Sequence, residues 1–146
     1  PSGAFDDLNT GDQVIDTFQY TVSDGEDEAT AEVTVTINGR NEEIIGSDES
    51  DDLVGSDLDD TLVFGGGNDL GFGGEGENIF VIGQADGVRD SVLIQDFTPG
   101  EDKLQLNTGV TVENEINALG NTYLQLTDGD FIILTDVVDV SGIDFI

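Results

Sequence analysis

The sequence has no cysteine, no histidine and almost no positive charge. Without Cys there is no disulfide framework and no thiolate metal site, which fits export without disulfide chemistry. With His missing too, the common nucleophilic triads and dyads and the usual metallohydrolase sites are absent. Arg40, Arg89 and Lys103 face 33 Asp and Glu residues, a formal charge of −30 over 146 residues. Phosphate binding needs clustered Lys and Arg, so nucleic acid is excluded as a partner, and an anionic membrane surface with it. No apolar run approaches the roughly 18 residues of a membrane span. No signal peptide heads the sequence, which reads as starting inside a longer protein. Self-repulsion on this scale opposes any compact state unless something positive neutralises it.

What is present argues against a disordered acidic tail. The chain is 36% apolar, and the apolar residues recur in short alternating runs. Residues 13–22, QVIDTFQYTV, place Phe18, Tyr20 and Val22 on one side of an extended chain. Residues 29–37, ATAEVTVTI, put Ala29, Ala31, Val33, Val35 and Ile37 on one face and Thr30, Glu32, Thr34 and Thr36 on the other, the period of a half-buried strand. SDGEDE between them supplies turn residues, so the pair reads as an antiparallel hairpin. Two strands alone are marginal in water, so the apolar face needs a further layer. Further short strands are expected at 88–97, 102–106, 122–127 and 130–135, with turns at 98–102 and 127–130 and a loop near 107–121. VENEIN at 112–117 has the length of one helical turn. The fold class is all-β.

Cut every nine residues, 46–81 reads GSDESDDLV GSDLDDTLV FGGGNDLGF GGEGENIFV. Asp51, Asp60 and Asp69 fall at the sixth place of successive blocks, and Asn78 takes that place in the fourth. Six Gly-rich residues make a turn and three make a strand, which sends the eighth residue (Leu53, Leu62, Phe80) inward. Two blocks complete a coil, so Asp51 stacks with Asp69 and Asp60 with Asn78 on opposite edges. Carboxylates one strand spacing apart, about 4.8 Å, repel by roughly 3 kcal/mol at an effective dielectric near 20. A divalent cation between them reverses that penalty. Calcium suits such a site, being hard and tolerant of irregular oxygen sets; zinc lacks its His or Cys, and magnesium demands tighter octahedral order. Two other readings compete: a flexible acidic linker with a chance period, and a calcium-free β-solenoid.

Residues 42–83 resemble the nonapeptide β-rolls of the RTX (hemolysin-type) family, whose turns bind Ca2+ through backbone and carboxylate oxygens. The resemblance implies one site from Ser47, Glu49 and Asp51 with Phe64, Gly66 and Asp69. It implies a second, on the opposite edge, from Ser56, Leu58 and Asp60 with Gly73, Glu75 and Asn78. A half-repeat, GRNEEII, implies a third from Asn38, Arg40 and Glu42 with Gly55, Asp57 and Asp60. Phe64 stands where Gly is usual, Gly71 takes an inward place that normally holds Leu, Asn78 replaces the acid, and Glu42 is longer than Asp. The second site is therefore expected to be weaker than the first. Asp69→Ala is expected to weaken ion binding more than Asp128→Ala, which lies outside the repeats.

Two flanks carry resemblances of their own. Residues 5–41, with YTVSDG and a TVTI strand, resemble the closing strands of a bacterial cadherin-like, immunoglobulin-type repeat. DSVLIQDFTPGEDKLQL resembles the capping segment that follows β-rolls in secreted RTX proteases and adhesins, where Asp90, Asp96 and Asp102 are candidates for another ion or for solvated turns. The last stretch, TDGDFIILTDVVDVSGIDFI, reads both as a C-terminal signal for type I secretion machinery and as a strand covering the end of the roll. The domain reading is 1–41 cadherin-like, 42–83 β-roll and 84–146 cap. Together these imply a secreted or cell-surface, calcium-folding, non-catalytic module of a large adhesin. The alternatives are an adhesion module that binds a cell surface or glycan, and the non-catalytic tail of a secreted hydrolase or epimerase. Carboxylate pairs are abundant enough to build a glycosidase-like site, but the acids follow the structural period, which favours ligands. The Thr stripe reads as an exposed strand face or a surface-binding one.

Overall fold

Alternation over residues 13–38 builds the hairpin that its period demands. The computed structural model describes residues 8, 12–39, 41–83, 88–138 and 143–146, and the chain divides into two units, Pro1–Arg40 and Asn41–Ile146. In the first, β1 (Gln13–Ser23) and β2 (Glu28–Asn38) pair antiparallel, with Phe18 opposite Val33, Tyr20 opposite Ala31 and Val22 opposite Ala29. The turn is closed by Asp24, whose Oδ1 accepts the N–H groups of Glu26 and Asp27 at 3.0 and 2.8 Å. The half-buried face expected from the alternation is not realised. Phe18, Tyr20, Val22 and Val35 are exposed, because two strands of one unit supply no second layer.

The second unit is a parallel roll. The strands are β3 (Glu43–Ile45), β4 (Asp52–Val54), β5 (Thr61–Val63), β6 (Asn68–Phe72), β7 (Ile79–Ile82), β8 (Ser91–Ile94), β9 (Lys103–Leu106), β10 (Val112–Ala118), β11 (Asn121–Leu126), β12 (Phe131–Leu134) and β13 (Asp144–Phe145). They form two sheets, β13-β9-β7-β5-β3 and β10-β11-β12-β8-β6-β4, between which β3 to β9 alternate. Every pairing in the first sheet is parallel, as are β4-β6, β6-β8 and β8-β12 in the second. Within the repeats one coil takes eighteen residues. Residues 46–60 are therefore ordered coil, and the flexible-linker reading does not hold. The inward residues Leu53, Leu62 and Phe80 are buried, joined by Ile82, Val92, Ile94, Leu104, Ile132 and Leu134.

The roll continues past the repeats. Coil spacing grows to 23 and 24 residues and then to 40, yet β8, β9, β12 and β13 still add in parallel. The extra length in the longest coil holds β10 and β11, an antiparallel hairpin on the edge of β12. VENEIN thus belongs to a strand and not to a helical turn, and the loop expected near 107–121 contains most of β10. Its partner β11 alternates buried and half-buried residues, a period-two pattern that a helical turn does not satisfy. Among the described residues there is no helix.

Phe64 and Gly71, two of the departures from the repeat, explain each other. The Phe64 ring points inward and is 2% exposed. A Cβ on Gly71 would meet its Cζ at 2.6 Å. The ring also stacks on Phe80, with centroids 6.3 Å apart and planes 13° apart. The large side chain fills the space that the glycine leaves.

Candidate metal centre

The roll has two edges, each a column of turns. On one, the turns ending at Asp51, Asp69 and Asp90, with Asp130 beyond, lead into β4, β6, β8 and β12. On the other, Glu42, Asp60, Asn78 and Asp102 precede β3, β5, β7 and β9. The turns stack so closely that only glycine fits at the contacts. A Cβ on Gly65 would overlap the Ser47 carbonyl oxygen, and one on Gly74, at φ +91°, would overlap that of Ser56. Gly67 likewise lies on Glu49, and Gly76 on Leu58. The structure therefore brings Ser47, Glu49 and Asp51 onto the turn holding Phe64, Gly66 and Asp69. It also brings Ser56, Leu58 and Asp60 onto the turn holding Gly73, Glu75 and Asn78.

From the second block on, each sixth-place side chain reaches back one coil. Asp69 Oδ1 accepts the N–H of Asp51 at 3.0 Å, Asn78 Oδ1 that of Asp60 at 2.9 Å, and Asp60 Oδ1 that of Glu42 at 2.8 Å. Within their own turns, Asp51 Oδ2 accepts the N–H and hydroxyl of Ser47 at 2.6 and 2.7 Å, and Asp60 Oδ2 does the same with Ser56. From the third predicted set, Glu42, Gly55, Asp57 and Asp60 lie together in the roll. Asn38 sits in β2, where its Oδ1 accepts a bond from Gln13 at 3.0 Å, and Arg40 lies outside the described residues. Asp57 and Glu75 line a shallow groove of about 440 Å³ with Phe72, Asp96 and Glu101.

The two edges differ in how their oxygens are satisfied. On the Asn78 edge the chain supplies the donors. Asp60 is bonded at both oxygens, Asp102 accepts the N–H groups of Asn78 and Thr98 at 2.9 and 2.7 Å, and Asp96 clamps those of Gly73 and Gly74 at 2.9 and 2.8 Å. Asn78 Nδ2 donates to the carbonyls of Glu75 and Gly76 at 3.2 and 3.4 Å. An amide thus stands where the resemblance would put a cation.

On the Asp51 edge, buried Oδ2 atoms of Asp69, Asp90 and Asp128 have no hydrogen-bond partner among the described residues. Burial pushes the Asp69 carboxyl above its usual value, the charges of Asp51 and Asp90 act the same way, and the Asp51 N–H opposes them. Asp51 is held below its usual value by its bonds from Ser47. Burial also raises Asp102, against its bonds from Thr98 and Asn78. Asp128 is therefore no bystander to the edge, although the sequence period leaves it outside. Asp130 and Asp128 escaped sequence reading because 40 residues separate Asp130 from the carboxylate it stacks on. Only a TDGD turn hinted at them.

Among the described residues no three acidic side chains converge as a metal cluster, so any cation here must draw on backbone carbonyls too. The donors on offer are all oxygen, the preference of a hard cation. No protein-family model matches the chain, and no curated protein matches it. Among solved structures the chain is similar to the AlgE6R3 subunit of the Azotobacter vinelandii mannuronan C5-epimerase, determined in solution. Identity is 21% and the TM-score 0.28, over 67% of this chain and 79% of that one. No helix among the described residues is long and apolar enough to cross a membrane.

Proposed function

We propose that residues 41–146 are a calcium-dependent folding and stabilising module of an exported RTX-type bacterial protein, an adhesin carried by type I secretion, and that the module is not an enzyme. One observation carries the reading. Asp69, 4% exposed, stacks on Asp51 one coil away and holds an Oδ2 that no donor among the described residues satisfies. A buried carboxylate in that state costs several kcal/mol of desolvation unless a cation meets it. Calcium would supply the positive charge and accept the carbonyls of the stacked turns as further ligands. Ser47, Glu49, Asp51, Phe64, Gly66 and Asp69 would hold it; the Asn78 edge is supported less, because its amide already bonds the carbonyls.

In a calcium-poor cytosol the −30 chain is only marginally stable, opens readily and threads a secretion channel. Outside, sites with dissociation constants of roughly 10⁻⁴–10⁻³ M fill, and ligation of the folded form alone stabilises it. That the acids follow the coil period, with one oxygen each of Asp51, Asp60 and Asp69 held by a backbone N–H group, supports ligand and structural roles over general-acid chemistry. The test is thermal melting and far-ultraviolet circular dichroism of the full chain. Millimolar calcium is expected to raise both melting temperature and β-sheet signal, and excess chelator to reverse them. Identical spectra and melting in calcium and chelator would end this reading.

The exposed apolar face of the β1-β2 hairpin favours a second reading, in which residues 1–40 bind a surface or glycan and calcium only stiffens the roll. Cell and glycan binding with and without residues 1–40 separates the two.

A further inference from the structure

We propose that the cation column does not stop with the ninefold repeat, and that Asp69 and Asp90 form a further divalent-cation site between the last regular turn of their edge and the longer coil beyond it. The proposal rests on the calcium reading above and extends it to a carboxylate that the repeat does not mark.

Asp69 and Asp90 are 4% and 7% exposed, and the Oδ2 of each has no hydrogen-bond partner among the described residues. Asp90 Oδ2 faces the turn of the preceding coil, 3.5 Å from where a Cβ on Gly66 would stand. That turn is the one Asp69 closes. The glycine leaves the space before the oxygen unfilled, and the two carboxylates are near enough to repel. Arg89 runs along Gly129, and its guanidinium does not satisfy the Asp90 oxygen. A charge buried in this way needs a positive partner, and oxygen-only donors select a hard one.

The opposite edge shows what the chain does when no cation is required. At the same level of the roll, Asp96 has both oxygens taken by the N–H groups of Gly73 and Gly74 in the turn below, and Asp102 has one taken by Asn78 from that turn and the other by Thr98 of its own turn. The Asp90 side has no such donors for its Oδ2 among the described residues. Its own N–H instead reaches forward to Asp130 Oδ1 at 3.1 Å, and the Asp130 N–H goes to Asp128 Oδ1 at 3.2 Å. Asp128 Oδ2 is again buried and unpartnered. All three orphaned oxygens lie on one edge, so the requirement for positive charge runs along that edge past the point where the period of nine ends.

The experiment counts calcium ions bound to the full chain by native mass spectrometry and isothermal titration calorimetry, for wild type, Asp51→Asn, Asp90→Asn and Asp102→Asn. Asp90→Asn is expected to lose one equivalent and, in chelator, to melt higher than wild type, because an uncompensated buried charge is gone. Asp102→Asn is expected to keep the wild-type count. An unchanged count in Asp90→Asn, or an Asp90→Asn chain that is unfolded in chelator, overturns the proposal. If Asp51→Asn loses an equivalent while Asp90→Asn does not, the repeats bind calcium and only this extension fails. If wild type binds none, both readings fall together.

Discussion

Asn78 closes its turn with an amide where Asp51, Asp60 and Asp69 bring a carboxylate. Its Nδ2 bonds the Glu75 and Gly76 carbonyls, and its Oδ1 receives the Asp60 N–H. Replacing it by Asp preserves the acceptor but removes both donors, leaving an anion against two carbonyl oxygens. In chelator, Asn78→Asp should cost about 1–3 kcal/mol, the usual penalty for buried polar groups left unmatched. In calcium the loss should largely disappear, with one more ion bound. Denaturant titration in both conditions, with an ion count, checks this. Equal destabilisation with and without calcium would show that the turn cannot accept a cation. The substitution of Asn for Asp was plain in the repeat, but its consequence was not. Periodicity shows which residue faces the ion position and not which hydrogen bonds fill it.

At the scale of elements, the turn after β5 and the strand β6 carry the pair that breaks the repeat and repairs it. Phe64→Ala should destabilise the roll by about 3–5 kcal/mol, because the space at Gly71 has no other occupant. Gly71→Ala should cost about 1–3 kcal/mol by pushing a methyl into the Phe64 ring. The double substitution Phe64→Gly, Gly71→Leu restores the regular repeat pattern at both places and should recover most of the loss. A double-mutant cycle of unfolding free energies measures the coupling, and strict additivity would mean that the two sites do not share one cavity. Each departure was legible in the sequence separately. Their compensation was not, since Phe64 and Gly71 stand at the first and eighth places of one block and meet only once its turn folds the chain back. The strands beyond the repeats show the same limit. β8, β9 and β12 announced themselves by short apolar runs, whereas their parallel addition to the roll depends on pairing partners 23 to 40 residues away.

For the whole molecule, charge dominates. Lys103 meets Glu77 at 3.6 Å on the surface, a pair worth little, so the chain itself offers scant neutralisation of its −30. Burial raises the folded-state values of Asp69 and Asp102 above the ordinary 3.8. An acid raised in this way contributes stability at low pH and loses it as pH climbs through its folded value. Asp24 and Asp51 are lowered, so their contribution is lost only as pH falls below 3.8. In chelator, melting temperature should therefore rise as pH drops from 7 toward roughly 4–5, helped by reduced self-repulsion. Asp102→Asn should flatten that rise. A melting temperature that falls steadily over this range would contradict the account.

The sequence by itself determined an all-β chain, the nine-residue ruler, the coil of two blocks, and which side chains stand over one another at Asp51–Asp69 and Asp60–Asn78. Those are local properties: alternation selects strands, glycine permits the turns, and a constant period forces like residues into columns. Only the tertiary structure decided that the two edges differ. Whether a carboxylate is satisfied depends on donors arriving from other coils, through insertions of unequal length, and no repeat specifies where those N–H groups will point.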